Sequence, residues 1–255
     1  MKPLRWLFLA LTATGMPCAA WADGMPPATP YRPTLSNPAE LSAPGWLEIE
    51  AGWLRTQSQD VRRQALSYTA KLAFDEDWGI LIGGEAHIRE ATPDFVRTGF
   101  GDTSVTFKRR FATGDEDLNF GVEAGIKSPT AHTGLGSGKS DWTINGIASL
   151  DFVSSWRIDA NVGVTRLGAQ EEGLGRNAAL WAACLSRQVD AWNFAVERSG
   201  THQHGSATGR QWLVAASHAV TPQVVMDLAI ARNRQGDERQ NQLMFGFTWL
   251  TARLF

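Results

Sequence analysis

The sequence predicts an all-β chain closed into a transmembrane, antiparallel, up-and-down β-barrel of about twelve strands. Three observations lead there. Apolar residues recur at every second position through segments of about 9–12 residues, the length a tilted strand needs to cross a bilayer. The links between those segments mostly alternate between short and long. Tryptophan, eleven in all against two tyrosines, collects at segment ends.

Composition sets the outer limits. With 43% hydrophobic and 20% charged residues the chain is not a disordered polymer. A formal net charge of -2 gives no basic excess, so nucleic acid is not an expected partner. A mean hydropathy of -0.21, with no apolar run of spanning-helix length, excludes a helical membrane bundle but not a barrel, whose strands alternate.

The first 22 residues read as an export signal. Lys2 and Arg5 precede an apolar run from Trp6 to Leu11, and Ala20-Trp21-Ala22 offers a small-x-small cleavage site. Pro17 beside Cys18 argues against a lipidated cysteine. Cleavage after Ala22 takes the formal charge from -2 to -4 and leaves Cys184 as the single thiol, so no internal disulfide is expected. Residues 23–44 carry six prolines and no periodicity; they are expected to be an extended segment, either periplasmic or threaded through the barrel lumen. Residues 45–255 form the barrel.

The strands are expected at 46–56, 63–74, 78–89, 100–111, 117–127, 142–152, 156–167, 177–187, 191–199, 210–218, 223–233 and 241–255. In the first, Leu47, Ile49, Ala51 and Trp53 oppose Glu48, Glu50 and Gly52. In the third, Trp78, Ile80, Ile82, Ala86 and Ile88 oppose Glu85, His87 and Arg89. In the fifth, Phe120, Val122 and Ala124 oppose Asn119 and Glu123; in the seventh, Trp156, Ile158 and Ala160 oppose Arg157 and Asp159. Tight turns at 75–77, 153–155 and 188–190 contrast with links such as 90–99, 128–141, 168–176 and 234–240. That asymmetry is expected of periplasmic turns and external loops. Trp46, Trp78, Trp156 and Trp192 stand at one rim, and Trp142 and Trp212 at the other, as interfacial girdles require. The last strand carries Phe245, Phe247 and Trp249 on one face and ends at Phe255. These residues are the expected assembly signal, read by the barrel-assembly machinery, although Arg253 replaces the usual aromatic residue two places before the end.

The polar faces are taken as the lumen lining. Glu48, Glu50, Glu85, Glu123, Asp159, Glu197 and Asp227 supply negative charge. Lys71, Arg89, Lys108, Arg110, Lys127 and Arg157 supply positive charge, and His87 joins them. The near balance argues against a pore strongly selective for one sign and favours pairing across strands, with Lys108 and Glu123 as neighbours. His202-Gln203-His204 lacks accompanying ligands, Gly134–Ser140 lacks phosphate-loop spacing, and no nucleophile motif is present. Neither enzyme activity nor a metal or other cofactor is expected.

Several stretches resemble a known family. Arg32-Pro33 with Ser36-Asn37-Pro38, and Ala43-Pro44-Gly45 leading into Leu47–Gly52, are similar to its start. Gly99-Phe100-Gly101-Asp102 leads into Phe107–Phe111; Gly125-Ile126-Lys127-Ser128-Pro129-Thr130 leads through Gly136-Ser137-Gly138 to Asp141-Trp142. Together these resemble the MetA-pathway-of-phenol-degradation family of outer-membrane β-barrels, over most of residues 32–168. The resemblance implies an outer-membrane channel or transporter for small aromatic or apolar molecules, with lipid as its surroundings. A structural barrel with a closed lumen is the alternative. A path at least as wide as a benzene ring separates the two from a lumen filled by paired charges or by residues 23–44.

Overall fold

The computed structural model describes residues 24–153 and 155–255, so the expected export signal lies outside the described residues. The strands are β1 (Trp46–Gln57), β2 (Arg62–Ala73), β3 (Trp78–Ala91), β4 (Val96–Gly99), β5 (Thr103–Ala112), β6 (Leu118–Ser128) and β7 (Asp141–Phe152). Then follow β8 (Trp156–Arg166), β9 (Asn177–Val189), β10 (Trp192–Gln203), β11 (Gly209–Thr221), β12 (Val224–Gln235) and β13 (Glu238–Arg253). Each barrel strand pairs antiparallel with its chain neighbours, β1 pairs with β13, and the β2–β3 pairing completes the ring. Twelve strands close the barrel. The thirteenth, β4, is a short addition folded back on the far half of β3.

Closure follows from the sequence's period of two. A strand with one apolar and one polar face buries neither alone, and in lipid no strand edge is tolerated. The apolar sides point outward: Val196, Val214, Leu228, Ile230 and Phe245 all stand exposed on the wall. Inward positions hold polar residues or small ones. On one flank Ala195, Ala215, Ala229 and Ala231 pack with Cys184, Leu213 and Met244.

Two features depart from the sequence reading. The link between β12 and β13 is not long: Gln235 pairs with Glu238, leaving the two-residue turn Gly236-Asp237, with Gly236 at φ 60°. Polar residues continue the ladder past the apolar band, so hydropathy ended these strands too early. The second departure is a bulge in β3. Leu66 pairs with His87 but Ser67 pairs with Glu85, so Ala86 has no partner and the alternation changes parity. Glu85, ahead of the bulge, faces inward as its alternation gives; beyond the bulge Ile88, expected with the outward apolar residues, is fully buried and turned inward. His87 and Arg89 do not line the lumen; they lie exposed on the outer face with Leu66 and Gln64 as cross-strand neighbours.

Leu228 lies mid-strand on the outer face. Leu228→Lys is expected to lower folding stability in lipid vesicles by about 2–4 kcal/mol, measured by denaturant titration.

Candidate functional site

The barrel interior is filled by the chain's own residues 24–44. They touch inward side chains of β1, β2, β5, β6, β7, β8, β10 and β12, which only a segment running through the lumen can reach together. This plug has no regular structure, and its backbone N–H groups still need acceptors. The wall's backbone is already committed to its own ladder, so side chains supply them. Glu48 accepts from the Thr29 N–H at 2.8 Å, and Glu50 from the Tyr31 N–H at 2.6 Å. Glu197 accepts from the N–H groups of Leu35 and Ser36 at 2.9 and 2.8 Å and from the Ser36 hydroxyl at 2.5 Å. The Ser149 hydroxyl accepts from the Ala39 N–H at 2.8 Å and donates to Asp159 at 2.5 Å.

Tyr31 is the centre of the plug. Two buried ammonium groups approach its ring, Lys71 Nζ at 3.8 Å and Lys108 Nζ at 4.1 Å from the ring centroid. Its hydroxyl donates to the Glu40 carbonyl at 2.6 Å and accepts from Lys108 at 2.9 Å. Lys71 is paired with Glu48 at 2.5 Å and Glu50 at 2.7 Å; Lys108 pairs with Glu123 at 3.3 Å and donates to the Pro38 carbonyl at 2.5 Å. These cations serve both the wall and the plug, pairing with the wall carboxylates and holding the tyrosine in place.

Two further anchors flank this layer. Arg32 reaches Asp227 at 3.2 Å by lying over a pair of glycines: Gly52, Gly246 and Asp227 occupy one cross-strand row of β1, β13 and β12. A Cβ on Gly52 would stand 2.2 Å from the Arg32 guanidinium, and one on Gly246 2.6 Å, so the notch exists only because both are glycine. Towards the short-turn end Glu40 pairs with Arg157, which also holds Asp151 at 2.7 Å and Asp159 at 3.1 Å. Arg110 pairs with Asp77 at 3.4 Å at the same end.

At the long-loop end a second cluster pins the 129–140 loop. Lys127 lies 2.9 Å from both Asp102 and Asp141 and donates to Ser137 at 2.9 Å. Asp102 accepts from the Ala131 N–H at 3.0 Å, and the Gly168 N–H donates to Asp141 at 2.9 Å. Burial opposes charge on Asp102, but the hydrogen bonds from Lys127 and Ala131 outweigh it and hold its pKa below the ordinary carboxylate value. A Cβ at Gly136 would meet Asp102 at 2.8 Å. Asp102 from the stretch around 99–111 and Lys127, Ser137 and Asp141 from the stretch around 125–142 thus converge on one loop clamp. Arg63 and Glu85 form a bidentate pair, at 2.8 and 2.6 Å, elsewhere on the inner wall.

Of the expected lining residues, Glu48, Glu50, Lys108, Glu123, Arg157 and Asp159 lie at the plug. Glu85, Arg110 and Lys127 lie on the inner wall away from the tyrosine, and His87 and Arg89 lie outside. The sequence reading missed Tyr31, Arg32 and the glycine notch. Nothing in their spacing marks them; the prolines around them were the available signal. A cavity of about 600 Å³ opens beside the plug and includes Arg110, Asn119, Asp159 and Ser186 in its lining. A smaller one of about 380 Å³, lined by residues such as Leu54, Arg63, Glu90 and Gln242, contains no plug residue. Among the described residues no cluster of three or more His, Cys, Asp or Glu side chains is placed to hold a metal ion.

A closed antiparallel barrel with an apolar exterior and an internal plug has the fold of the outer-membrane channels. The family model described as "Putative MetA-pathway of phenol degradation" matches residues 51–252, and the chain belongs to that family. No curated protein matches the chain. Among solved structures it is similar to the COG4313 outer membrane channel from Pseudomonas putida F1, with a TM-score of 0.67 at 9% identity, over 84% of this chain and 98% of that one. The NanC porin gives 0.56 at 11% identity, over 80% and 98%. The CymD monoaromatic hydrocarbon channel gives 0.52 at 8%, over 84% and 90%.

Lys71→Met strands the buried Glu48 and Glu50 carboxylates, and a broken buried pair costs about 3–5 kcal/mol. Urea unfolding in vesicles should show that loss. Adding Glu48→Gln and Glu50→Gln should recover most of it.

Proposed function

We propose that this chain is an outer-membrane channel for small aromatic molecules, held closed at rest by residues 24–44. One observation carries the reading: the plug is fastened almost wholly by hydrogen bonds and ion pairs. Of its described residues only Tyr31 and Ala39 are buried apolar groups, so withdrawing it exposes little apolar surface. Water entering a polar lumen replaces the lost hydrogen bonds. The polar lining of the larger cavity favours a cargo with a polar group, such as a hydroxylated aromatic ring. The family's description and the name of the CymD channel support this cargo class. Several relatives in fold are named as channels or porins, which supports a non-enzymatic role.

The filled lumen favours a second reading, a permanently sealed structural barrel. Conductance in planar bilayers separates them. Deleting residues 24–44 should raise single-channel conductance from near zero to a stable open level, and Gly246→Leu, which evicts the Arg32 guanidinium, should give intermittent openings. Near-zero conductance in both variants identifies the sealed barrel.

Export through the first 22 residues and insertion by the barrel-assembly machinery belong to the same proposal. Phe245, Phe247 and Trp249 stand on the outer face, 38–49% exposed, and the Leu254 N–H donates to the Gly45 carbonyl at 2.7 Å, setting Phe255 beside the start of β1. Replacing Phe247 and Trp249 by Ser should abolish the heat-modifiable gel mobility of the membrane fraction; unchanged mobility removes the terminal strand as the signal.

A further inference from the structure

Charge is divided between the two faces of this barrel. Every Asp, Glu and Lys within the barrel strands points inward, whereas the outward positions carry charge only as arginine. The outward arginines concentrate at the long-loop end of β10–β13. There Arg210 stands directly opposite Arg234, and Arg234 opposite Arg239, so three guanidinium groups share one row across three strands. Trp212 is opposite both Arg198 and Arg232. None of these five arginines has a carboxylate within ion-pairing distance among the described residues; the salt bridges present all involve other cations. Their contacts are with neutral groups: Arg198 with the Gln211 carbonyl and the Trp212 ring, Arg232 with Asn241, Arg234 with the Gly236 carbonyl.

Like charges directly opposite one another in a sheet repel. This row therefore requires counter-charge from outside the chain. Its height on the wall says where that charge comes from. Two outward positions towards the short turns stand Val214, Ile230 and Leu243, all exposed apolar residues. The row between them holds Trp212, itself 56% exposed, with Arg232 and Asn241, so the order is that of a membrane interface: apolar band, a row with an indole and the first guanidinium, then charge at headgroup level. Neighbouring strands are about 4.8 Å apart, so the three-arginine row spans roughly 10 Å, wide enough to face a headgroup with more than one phosphate. Guanidinium forks match phosphate oxygens in pairs. The patch is bounded on one side: at the same end of β5–β8 the outward residues are Thr103, Ser128 and Trp142, with Arg166 the one charge, whereas outward Arg55, Arg62 and Arg89 continue it along β1–β3.

The geometry points to a binding surface on β10–β13 for the phosphates of lipid A, the phosphorylated glycolipid of the outer leaflet. The inference rests on the outer-membrane reading above and adds the headgroup and the residues that hold it. Native mass spectrometry of the folded barrel with diphosphoryl lipid A, and with the same lipid stripped of both phosphates, tests it. The diphosphoryl form should be retained at least about tenfold more strongly. Arg210→Gln with Arg234→Gln and Arg239→Gln should erase that preference, while Arg109→Gln with Arg187→Gln, at the opposite rim, should keep it. Equal binding of both lipids by the wild type, or equal loss in the two variants, overturns the assignment. The wild-type comparison decides the matter even where the triple variant does not fold. Insertion into phosphatidylcholine vesicles, scored by heat-modifiable mobility, is read separately: a barrel that inserts without preferring phosphate leaves the channel reading standing, and one that does not insert removes both.

Discussion

An irregular segment inside a barrel has a problem the wall cannot solve with its backbone. Most wall N–H and C=O groups are committed to the ladder, so the donors of residues 24–44 must find side-chain acceptors or stay unsatisfied in a confined space. Much of the interior follows from that constraint. Glu48, Glu50 and Glu197 face inward because each caps one or two plug N–H groups. Lys71 and Lys108 are there because buried carboxylates need cations. Tyr31 adds to this layer an aromatic ring within cation–π reach of both ammonium groups and a hydroxyl that accepts from Lys108. The prolines lower the number of donors to be satisfied and favour an extended course.

Paired charges inside and unpaired arginines outside are one division of labour seen from its two faces. Inside, charge is neutralised within the chain and fixes a single arrangement of the plug. Outside, it is left open to the surroundings. The loop clamp at the long-loop end follows the inner rule: Lys127 draws Asp102 and Asp141 together, and through them the Gly-rich loop is tied to strands that are far apart in sequence. The motifs that carry the family resemblance are thus structural at this mouth, joined through one ammonium group.

Much of the fold was legible because a period of two is a local property. Outer residues such as Ile80, Ile82, Val122 and Ile158 take the face their alternation gives them. The pairing of Lys108 with Glu123 was legible too, since a short turn brings adjacent strands into a definite register. His87 and Arg89 were misread because one unpaired residue, Ala86, reverses parity for everything beyond it, and a bulge has no pattern of its own in a single sequence. The β12–β13 hairpin was misread as a loop because its upper rungs are polar on both faces, where hydropathy carries no signal.

By itself, then, the sequence determined the all-β class, the inward and outward faces of the regular strands, and the balance of lumen charge. These depend on neighbours two residues apart or one turn away. Only the tertiary structure decided which carboxylate meets which part of residues 24–44, that Gly52 and Gly246 open a notch for Arg32, and that Lys127 gathers Asp102 and Asp141. Those contacts join residues up to nearly 200 positions apart, as in Arg32 with Asp227. They exist because ring closure brings opposite walls within reach of one threaded segment, a distance that no local periodicity encodes.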